Sequence, residues 1–320
     1  MLSRDLIKKQ LNNTLEKTDF EGIGSRYQGK VRDNYTKGNR RMLITTDRIS
    51  AFDVVLGTIP FKGQVLNQIS EYWFDKTKDV AENHVIDVPD PNVTIAKLCK
   101  PYPVEIVVRC YLTGSAWRDY EKGNSVSGIR LKSGLKKNEK LPELIITPST
   151  KAEQGTHDLP ISKEEILKRN IISKNIYEWM EELSLKVFEK GSKIAAKNGL
   201  LLVDTKYEFG EFEGSPILMD ELHTPDSSRF WIKKSYKSRF NKGLDPEMLD
   251  KEYVRQWLIK ERNFMGRGKA PEITDEVKIE AALRYIRTYE QITGKRFKAD
   301  VKMPILKRIE NNLKKGGYLK

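Results

Sequence analysis

Cysteine and histidine are scarce in this 320-residue chain, and their spacing excludes the usual zinc sites. The cysteines are Cys99 and Cys110, and the histidines are His84, His157 and His223. No two histidines lie one helical turn apart, and neither cysteine has a partner at metal-ligand spacing. We therefore expect free thiols. A bound metal would have to be held by carboxylates, which favours magnesium.

Long apolar runs are also absent. No segment approaches the roughly 20 apolar residues that a membrane helix needs. Residues 2–11 carry both signs of charge and lack the apolar core of a signal peptide. With 38% hydrophobic and 32% charged residues, the chain is predicted to be a cytoplasmic globular protein of one large or two medium domains.

The common glycine-rich nucleotide motifs are missing as well. Neither G-x-x-x-x-G-K-[ST] nor a G-x-G-x-x-G that opens a helix occurs. Gly29, Lys30, Val31 and Arg32 instead occupy a predicted hairpin, where they could cover a nucleotide as a kinase glycine loop does. An ordinary turn is the simpler alternative.

Positive charge is abundant, because 58 Lys and Arg residues stand against 45 Asp and Glu residues, giving +13. Three interpretations fit this excess: a nucleic-acid surface, a pocket for phosphorylated substrates, or a solvated lysine-rich surface. The lysines are scattered along the chain, so charge alone does not choose between them.

Hydrophobic periodicity divides the chain into a strand-rich first part and an α/β second part. Residues 122–140 have few core-forming residues and indicate an exposed loop, near which a domain boundary is expected. The predicted strands are 26–35, 41–46, 84–88, 104–112, 200–209 and 216–221. The predicted helices are 64–78, 172–197, 246–261 and 275–293.

Charged residues cluster at the end of an apolar strand in the second part. Side chains alternate along a strand, so Asp204, Lys206 and Glu208 share one face, and Asp220 follows on the next strand. Two carboxylates with a lysine between them can hold Mg²⁺ and neutralise phosphate, as phosphoryl transfer requires. A solvent-facing strand with paired charges is the alternative.

Three further segments combine cations with hydroxyl groups. Arg109 precedes a Gly-Ser step at Ser115, where a helix is predicted to begin and could grip an anion. Residues 147–153 add hydroxyl groups and Lys151, and residues 224–229 add Arg229. Ordinary caps and turns could explain each segment singly, but not readily all of them.

These segments together resemble the SAICAR synthetase family, from about Gly22 to Leu258. The insert lengths are similar to those of its longer branch. Cys110 and Ala116 stand where the family pattern has glycine. The matching segments, in order, are 28–33, 46–53, 109–117, 147–155, 204–210, 220–231 and 250–255.

The resemblance implies a fold class and a set of site residues. The fold is α+β, a two-lobed SAICAR synthase-like fold related to ATP-grasp enzymes and protein kinases. Residues 1–120 would form a β-rich lobe over ATP, and residues 121–320 an α/β lobe with the metal and substrate site and the C-terminal helices. The implied ATP-binding residues are Gly29, Lys30, Val31, Arg32, Lys151, Glu208 and Asp220, of which Glu208 and Asp220 also hold Mg²⁺. The implied substrate-binding residues are Arg109, Ser115, Arg229, Lys251, Arg255, Asp47 and Ser50, and the implied catalytic residues are Lys206 and Asp204.

The implied activity is an ATP-dependent amide ligation in de novo purine biosynthesis. L-aspartate is joined to 5-amino-1-(5-phospho-D-ribosyl)imidazole-4-carboxylate through an acyl phosphate, which yields SAICAR, ADP and phosphate. All partners would be small molecules, without nucleic acid or membrane. One alternative is a small-molecule kinase on the same scaffold, which would not need an amine. The other is a basic nucleic-acid-binding protein, which would show basic residues interleaved with aromatics.

Overall fold

The computed structural model describes residues 2–52, 54–151, 159–249 and 252–320. Its strands are β1 Ser25–Gln28, β2 Arg32–Lys37, β3 Arg40–Thr45, β4 Arg48–Ala51, β5 Val54–Thr58, β6 Val85–Asp90, β7 Val93–Lys97, β8 Lys100–Tyr111, β9 Lys140–Ile146, β10 Ser149–Thr150, β11 Leu200–Phe212, β12 Ser215–Met219 and β13 Ser228–Ile232. Its helices are α1 Arg4–Lys9, α2 Lys62–Thr77, α3 Gly114–Glu121, α4 Lys163–Lys168, α5 Lys174–Lys197, α6 Lys233–Asn241, α7 Glu252–Arg262, α8 Asp275–Thr293 and α9 Ile305–Lys315.

The first sheet has the order β1-β2-β3-β7-β6, and its paired strands are antiparallel. The strand predicted over 26–35 is wrong as a single element. It is a hairpin of β1 and β2, because the Gly29 N–H donates to the Arg32 carbonyl at 2.8 Å and closes a turn. The predicted turn near Gly38 is confirmed, since Lys37 pairs with Arg40 across it.

The second sheet has the order β10-β8-β11-β12, with β13 paired to β11 and β9 to β8. Strand β11 lies at its centre and hydrogen-bonds to three neighbours. Helix α5 packs on this sheet through the apolar stripe that includes Met180, Val187 and Phe188. Burying such a stripe against a sheet is the main source of stability for a helix of this kind.

The predicted helices 64–78, 172–197 and 275–293 are confirmed as α2, α5 and α8. Helix α8 ends at Gly294, whose φ of 68° is left-handed, as a C-terminal glycine cap requires. The helix predicted over 246–261 was placed too early. Met248 forms a β-bridge with Trp231, so this stretch is extended, and α7 starts at Glu252.

The last helix returns to the first sheet. Ile309 and Leu313 of α9 share a core with Ile44 and Val93, and Arg308 pairs with buried Asp90.

Strand β8, although early in the chain, belongs to the second sheet. A lobe boundary at residue 120 stays a prediction. Among the described residues, no helix is long and apolar enough to cross a membrane.

Candidate active site

A cavity of about 230 Å³ opens where β8, β11 and β13 meet the start of α3 and of α7. We call it the anion pocket, because four cationic side chains line it against two carboxylates, Asp204 and Asp226. Six residues singled out in the sequence line it together, namely Arg109, Ser115, Asp204, Lys206, Arg229 and Arg255. They come from five separate elements, so only the fold brings them together.

The register of the second sheet explains why the arginines converge. Asp204 of β11 is paired with Arg109 on one side and with Arg229 on the other. Its carboxylate accepts a hydrogen bond from each guanidinium, at 3.2 Å in the case of Arg109. Arg109 is further held by Thr147 at 2.8 Å and by Ser115 at 3.2 Å. One carboxylate thus orients two arginines and leaves an excess of positive charge facing the pocket.

Gly114 allows Arg229 to lie against the start of α3. A Cβ atom at position 114 would stand 2.6 Å from a guanidinium nitrogen of Arg229, and the φ of Gly114 is +61°. Only glycine meets both requirements without strain. The Gly-Ser step recognised in the sequence therefore serves close packing as well as the helix start.

A second group of charges, the carboxylate cluster, adjoins the anion pocket. It consists of Glu105, Glu208, Asp220, Lys151 and Lys206. Lys206 donates to Glu208 at 2.6 Å and to Glu105 at 2.7 Å, and Lys151 donates to the other oxygen of Glu208. The prediction that Asp204, Lys206 and Glu208 share a face of β11 agrees with these contacts.

Lys206 is held as a cation. Burial by itself would lower its pKa, but the carboxylates of Glu208 and Glu105 outweigh burial and raise the pKa well above its usual value. A lysine in this state supplies positive charge and does not act as a base near neutral pH. It connects the two groups, because it also lines the anion pocket.

Glu105 was missed in the sequence, although a signal was present. It interrupts the apolar run of β8 and lies four residues before Arg109, so the strand period places both on one face. In the structure Glu105 pairs with Glu208 across the sheet and is buried. Two facing glutamates would repel each other, and the shared Lys206 offsets that repulsion.

The turn between β1 and β2, residues 29–32, reaches the carboxylate cluster. We call it the glycine loop. Arg32, at its end, donates to Asp220 at 2.6 Å. Asp220 has a φ of 72° and leaves the line of β12 there, which turns its carboxylate toward the first sheet. The predicted nucleotide loop and the predicted metal carboxylates therefore lie side by side.

Arg255 of α7 links the anion pocket to the end of β4, because its guanidinium lies 5.0 Å from the ring centre of Phe52. Asp47 and Ser50 are not among the pocket-lining residues. Asp47 is buried and accepts hydrogen bonds from the backbone N–H groups of Leu15 at 2.7 Å and Gly63 at 2.8 Å. Ser50 is paired with Val55 on β5.

Lys251 lies outside the described residues, as do parts of the predicted segments 46–53 and 147–155. Within the described residues, no group of three or more His, Cys, Asp or Glu side chains has the geometry of a metal site. Cys99 and Cys110 are free thiols, as expected.

An arginine-lined pocket beside buried carboxylates, on an α+β fold, defines an enzyme for anionic small molecules. A family model described as SAICAR synthetase matches residues 25–270. The phosphoribosylaminoimidazole-succinocarboxamide synthase of Bacteroides thetaiotaomicron is 49% identical over 306 residues, which cover 93% of this chain and 97% of that protein.

Solved structures agree. The Saccharomyces cerevisiae SAICAR synthase, complexed with SAICAR, superposes with a TM-score of 0.78 at 32% identity and covers 89% of this chain and 100% of its own. A SAICAR synthetase in complex with ADP gives a TM-score of 0.66 at 26% identity, covering 86% and 100%. The chain belongs to the SAICAR synthetase family. The predicted family, the α+β fold class and the class of amide-forming ligase in purine biosynthesis are confirmed.

Proposed function

We propose that this chain joins L-aspartate to 5-amino-1-(5-phospho-D-ribosyl)imidazole-4-carboxylate with ATP, giving SAICAR, ADP and phosphate. The observation that carries the proposal is the continuity of the anion pocket with the carboxylate cluster through Lys206. The anion pocket suits the phosphate and carboxylate groups of the ribonucleotide, and the carboxylate cluster suits phosphoryl transfer from ATP.

The ribonucleotide is assigned to the anion pocket. Arg109 and Arg229 are fixed by Asp204 and can each donate paired hydrogen bonds to phosphate or carboxylate oxygens. Ser115 adds a hydroxyl group at the helix start, and Arg255 of α7 adds a further guanidinium to the lining. Asp204 thereby acts by orienting cations. Lys251 stays a predicted member of this set, and Asp47 and Ser50 remain predicted neighbours of the aspartate site.

ATP is assigned to the space between the glycine loop and the carboxylate cluster, with Lys151 as a further phosphate contact. Glu208 and Asp220 would hold Mg²⁺. Mg²⁺ in phosphoryl-transfer sites uses one or two carboxylates and completes its shell with phosphate oxygens and water. Buried Glu208 and half-buried Asp220, charge-paired with Lys151, Lys206 and Arg32, fit that donor set. When bound, Mg²⁺ would neutralise the transferring phosphate.

The chemistry needs positioned charges and no nucleophilic side chain. A carboxylate oxygen of the ribonucleotide attacks the γ-phosphorus of ATP, the bond to ADP breaks, and an acyl phosphate forms. The amino group of aspartate then attacks the acyl carbon, loses a proton, and inorganic phosphate leaves with the C–O electrons. Lys206, cationic and between the two groups, is placed to stabilise the phosphoryl group in both steps.

A coupled ADP-release assay with each component omitted in turn tests the proposal. We expect ADP only when ATP, Mg²⁺, the ribonucleotide and L-aspartate are all present. Full-rate release without aspartate would identify a small-molecule kinase instead. The cytoplasmic location predicted from the sequence stays a prediction.

A further inference from the structure

Arg48, at the start of β4, holds the glycine loop from behind. Its guanidinium donates from Nε to the Lys30 carbonyl at 3.0 Å and from Nη2 to the Gly29 carbonyl at 2.9 Å. Nη1 donates to the Glu16 carbonyl. The side chain is 3% exposed, so all of these bonds are shielded from water.

Buried Asp33 fixes the guanidinium in place. Its Oδ1 accepts from Arg48 Nη2 at 2.9 Å, while its Oδ2 accepts from the Thr18 N–H at 2.6 Å. The carboxylate and guanidinium thus form a buried pair. Each nitrogen of the guanidinium and each oxygen of the carboxylate makes at least one hydrogen bond. Breaking one side of such a pair is costly.

A third carbonyl of the loop is held in the same way. The Val31 carbonyl accepts from the Thr46 hydroxyl at 2.8 Å and from the Thr46 N–H at 3.0 Å. Three successive carbonyls, at Gly29, Lys30 and Val31, are therefore bound by two residues at the β3–β4 junction. Turns usually leave such carbonyls to solvent.

These contacts dictate where the other side of the loop faces. In a planar trans peptide the carbonyl and the following N–H point in opposite directions, and these peptides are trans. The N–H groups that follow the three held carbonyls therefore face away from Arg48. Neighbouring β2 side chains confirm the two sides, since Asp33 points to Arg48 and Arg32 to Asp220.

We propose that Arg48 is a positioning residue for ATP, which fixes the glycine loop so that its backbone N–H groups and Arg32 face the nucleotide phosphates. It touches the loop and not the nucleotide. The inference rests on the proposed function only in taking the glycine loop as the ATP site. Lysine cannot replace Arg48, because one ammonium cannot span the carbonyls and Asp33 at once.

Steady-state kinetics of Arg48→Lys test the proposal. KM for ATP rises about tenfold or more, as loss of charge-assisted hydrogen bonds that preorganise a site implies. KM for the ribonucleotide stays within about twofold. Hydrogen exchange at the amides of Gly29 and Thr46, whose N–H groups donate to the Arg32 and Val31 carbonyls of the loop, becomes faster than in the wild type, a change that loss of a distant contact does not produce.

Arg308→Lys is the matched control. Arg308 is 4% exposed and binds Asp90 through two hydrogen bonds of 3.0 and 3.1 Å. Asp90 lies on β6, the edge strand of the first sheet opposite β1. Like Arg48→Lys, the Arg308→Lys variant breaks a buried arginine–aspartate pair. We therefore expect its Tm to fall while its KM for ATP stays at the wild-type value. An equal rise in KM for ATP in Arg308→Lys would show that Arg48 affects ATP binding only through the stability of the protein, and would overturn the proposal.

Two more variants keep the test decisive if Arg48→Lys does not fold. Thr46→Val removes one of two bonds to the Val31 carbonyl and raises KM for ATP about threefold. Lys30→Ala tests the loop itself. A rise in KM for ATP in Lys30→Ala but in neither Arg48→Lys nor Thr46→Val would overturn the positioning role and leave the ATP site standing. No rise in KM for ATP in any of the three variants would reject both the positioning role of Arg48 and the ATP site at the glycine loop. Aspartate-independent ADP release by the wild type would reject the ligase reaction alone.

Discussion

Arg32 and Asp220 form an ion pair of 2.6 Å that joins the first sheet to the second at the candidate ATP site. Burial by itself would raise the pKa of Asp220, but Arg32 and Lys206 outweigh burial and hold that pKa well below its usual range. Asp220 is therefore ionised at neutral pH before any metal binds. The pair also fixes the distance between the glycine loop and the carboxylate cluster.

Removing the charge of either proposed metal carboxylate is expected to impair catalysis without unfolding the protein. Glu208→Gln and Asp220→Asn each lower kcat by about a hundredfold or more, since electrostatic groups aimed at the transition state contribute on that scale. Glu211→Gln, on the exposed end of the same strand, is the control and keeps wild-type kcat. Near-normal kcat in either site variant, measured over a range of Mg²⁺ concentrations, would refute the metal assignment.

Arg255 is expected to contribute to ribonucleotide binding and little to ATP binding. Arg255→Ala loses charge-assisted hydrogen bonds worth about 1.5–3 kcal/mol, so KM for the ribonucleotide rises by about one to two orders of magnitude. Arg262→Ala is the control in the same helix, because Arg262 lies over Trp257 and away from the pocket.

Competition by small anions and binding of oligonucleotides distinguish a small-molecule pocket from a nucleic-acid surface. Inorganic phosphate or sulfate competes with the ribonucleotide in the wild type. Oligonucleotides bind weakly and are released near physiological salt. Submicromolar oligonucleotide binding at that salt, abolished in Arg255→Ala, would contradict the assignment of the pocket.

Gly114→Ala is expected to act through Arg229. The added methyl group collides with the guanidinium, displaces it from Asp204 and raises KM for the ribonucleotide by about tenfold. Gly123→Ala, near the other end of α3, is a matched control. Gly123 has a φ of +77°, but a methyl group added there would meet no atom within 4 Å, so the variant carries the same backbone strain without the collision. Equal KM values for the two variants would show that backbone strain, and not Arg229, is responsible.

Stability is expected to fall in acid partly because of His223. Burial lowers the pKa of His223 to about 3, whereas an unfolded histidine titrates near 6.5. Between these values the unfolded chain binds more protons than the folded one. The free energy of unfolding therefore decreases as pH falls through this window, by about 1.4 kcal/mol per pH unit for one such group.

Urea unfolding of His223→Asn between pH 7 and pH 4 measures this contribution. The variant is less stable at pH 7, but its stability depends less steeply on pH than that of the wild type. Tyr207→Phe is the control, because it removes the hydroxyl group that lies 2.6 Å from His223 Nε2 and leaves the ring to titrate. His84, whose pKa burial lowers to about 4, adds the same slope to every variant. Identical slopes in wild type and His223→Asn would rule out the effect.

Much of the site was predictable, because a strand period assigns faces. Asp204, Lys206 and Glu208 share a face of β11 by alternation alone, and the same rule applied to β8 would have found Glu105 beside Arg109. The start of α7 was not predictable, since the pairing of Met248 with Trp231 is a contact between distant segments. The roles of Arg48 and Asp33 were equally hidden, because their partners are backbone carbonyls and amides, which leave no mark on residue type.

The sequence by itself determined the elements whose periodicity is strong and local, such as α2, α5, α8 and the β11–β12 hairpin. Its residue types and their order also determined the family, because chemistry-bearing segments recur there in a fixed arrangement. Only the tertiary structure decided which charges meet. The register of β8, β11 and β13 places Arg109, Asp204 and Arg229 in one row, and the approach of the first sheet sets Arg32 on Asp220. The strand register and the Arg32–Asp220 contact both depend on packing between segments up to about 190 residues apart. Local propensity and periodicity do not predict contacts over such a separation.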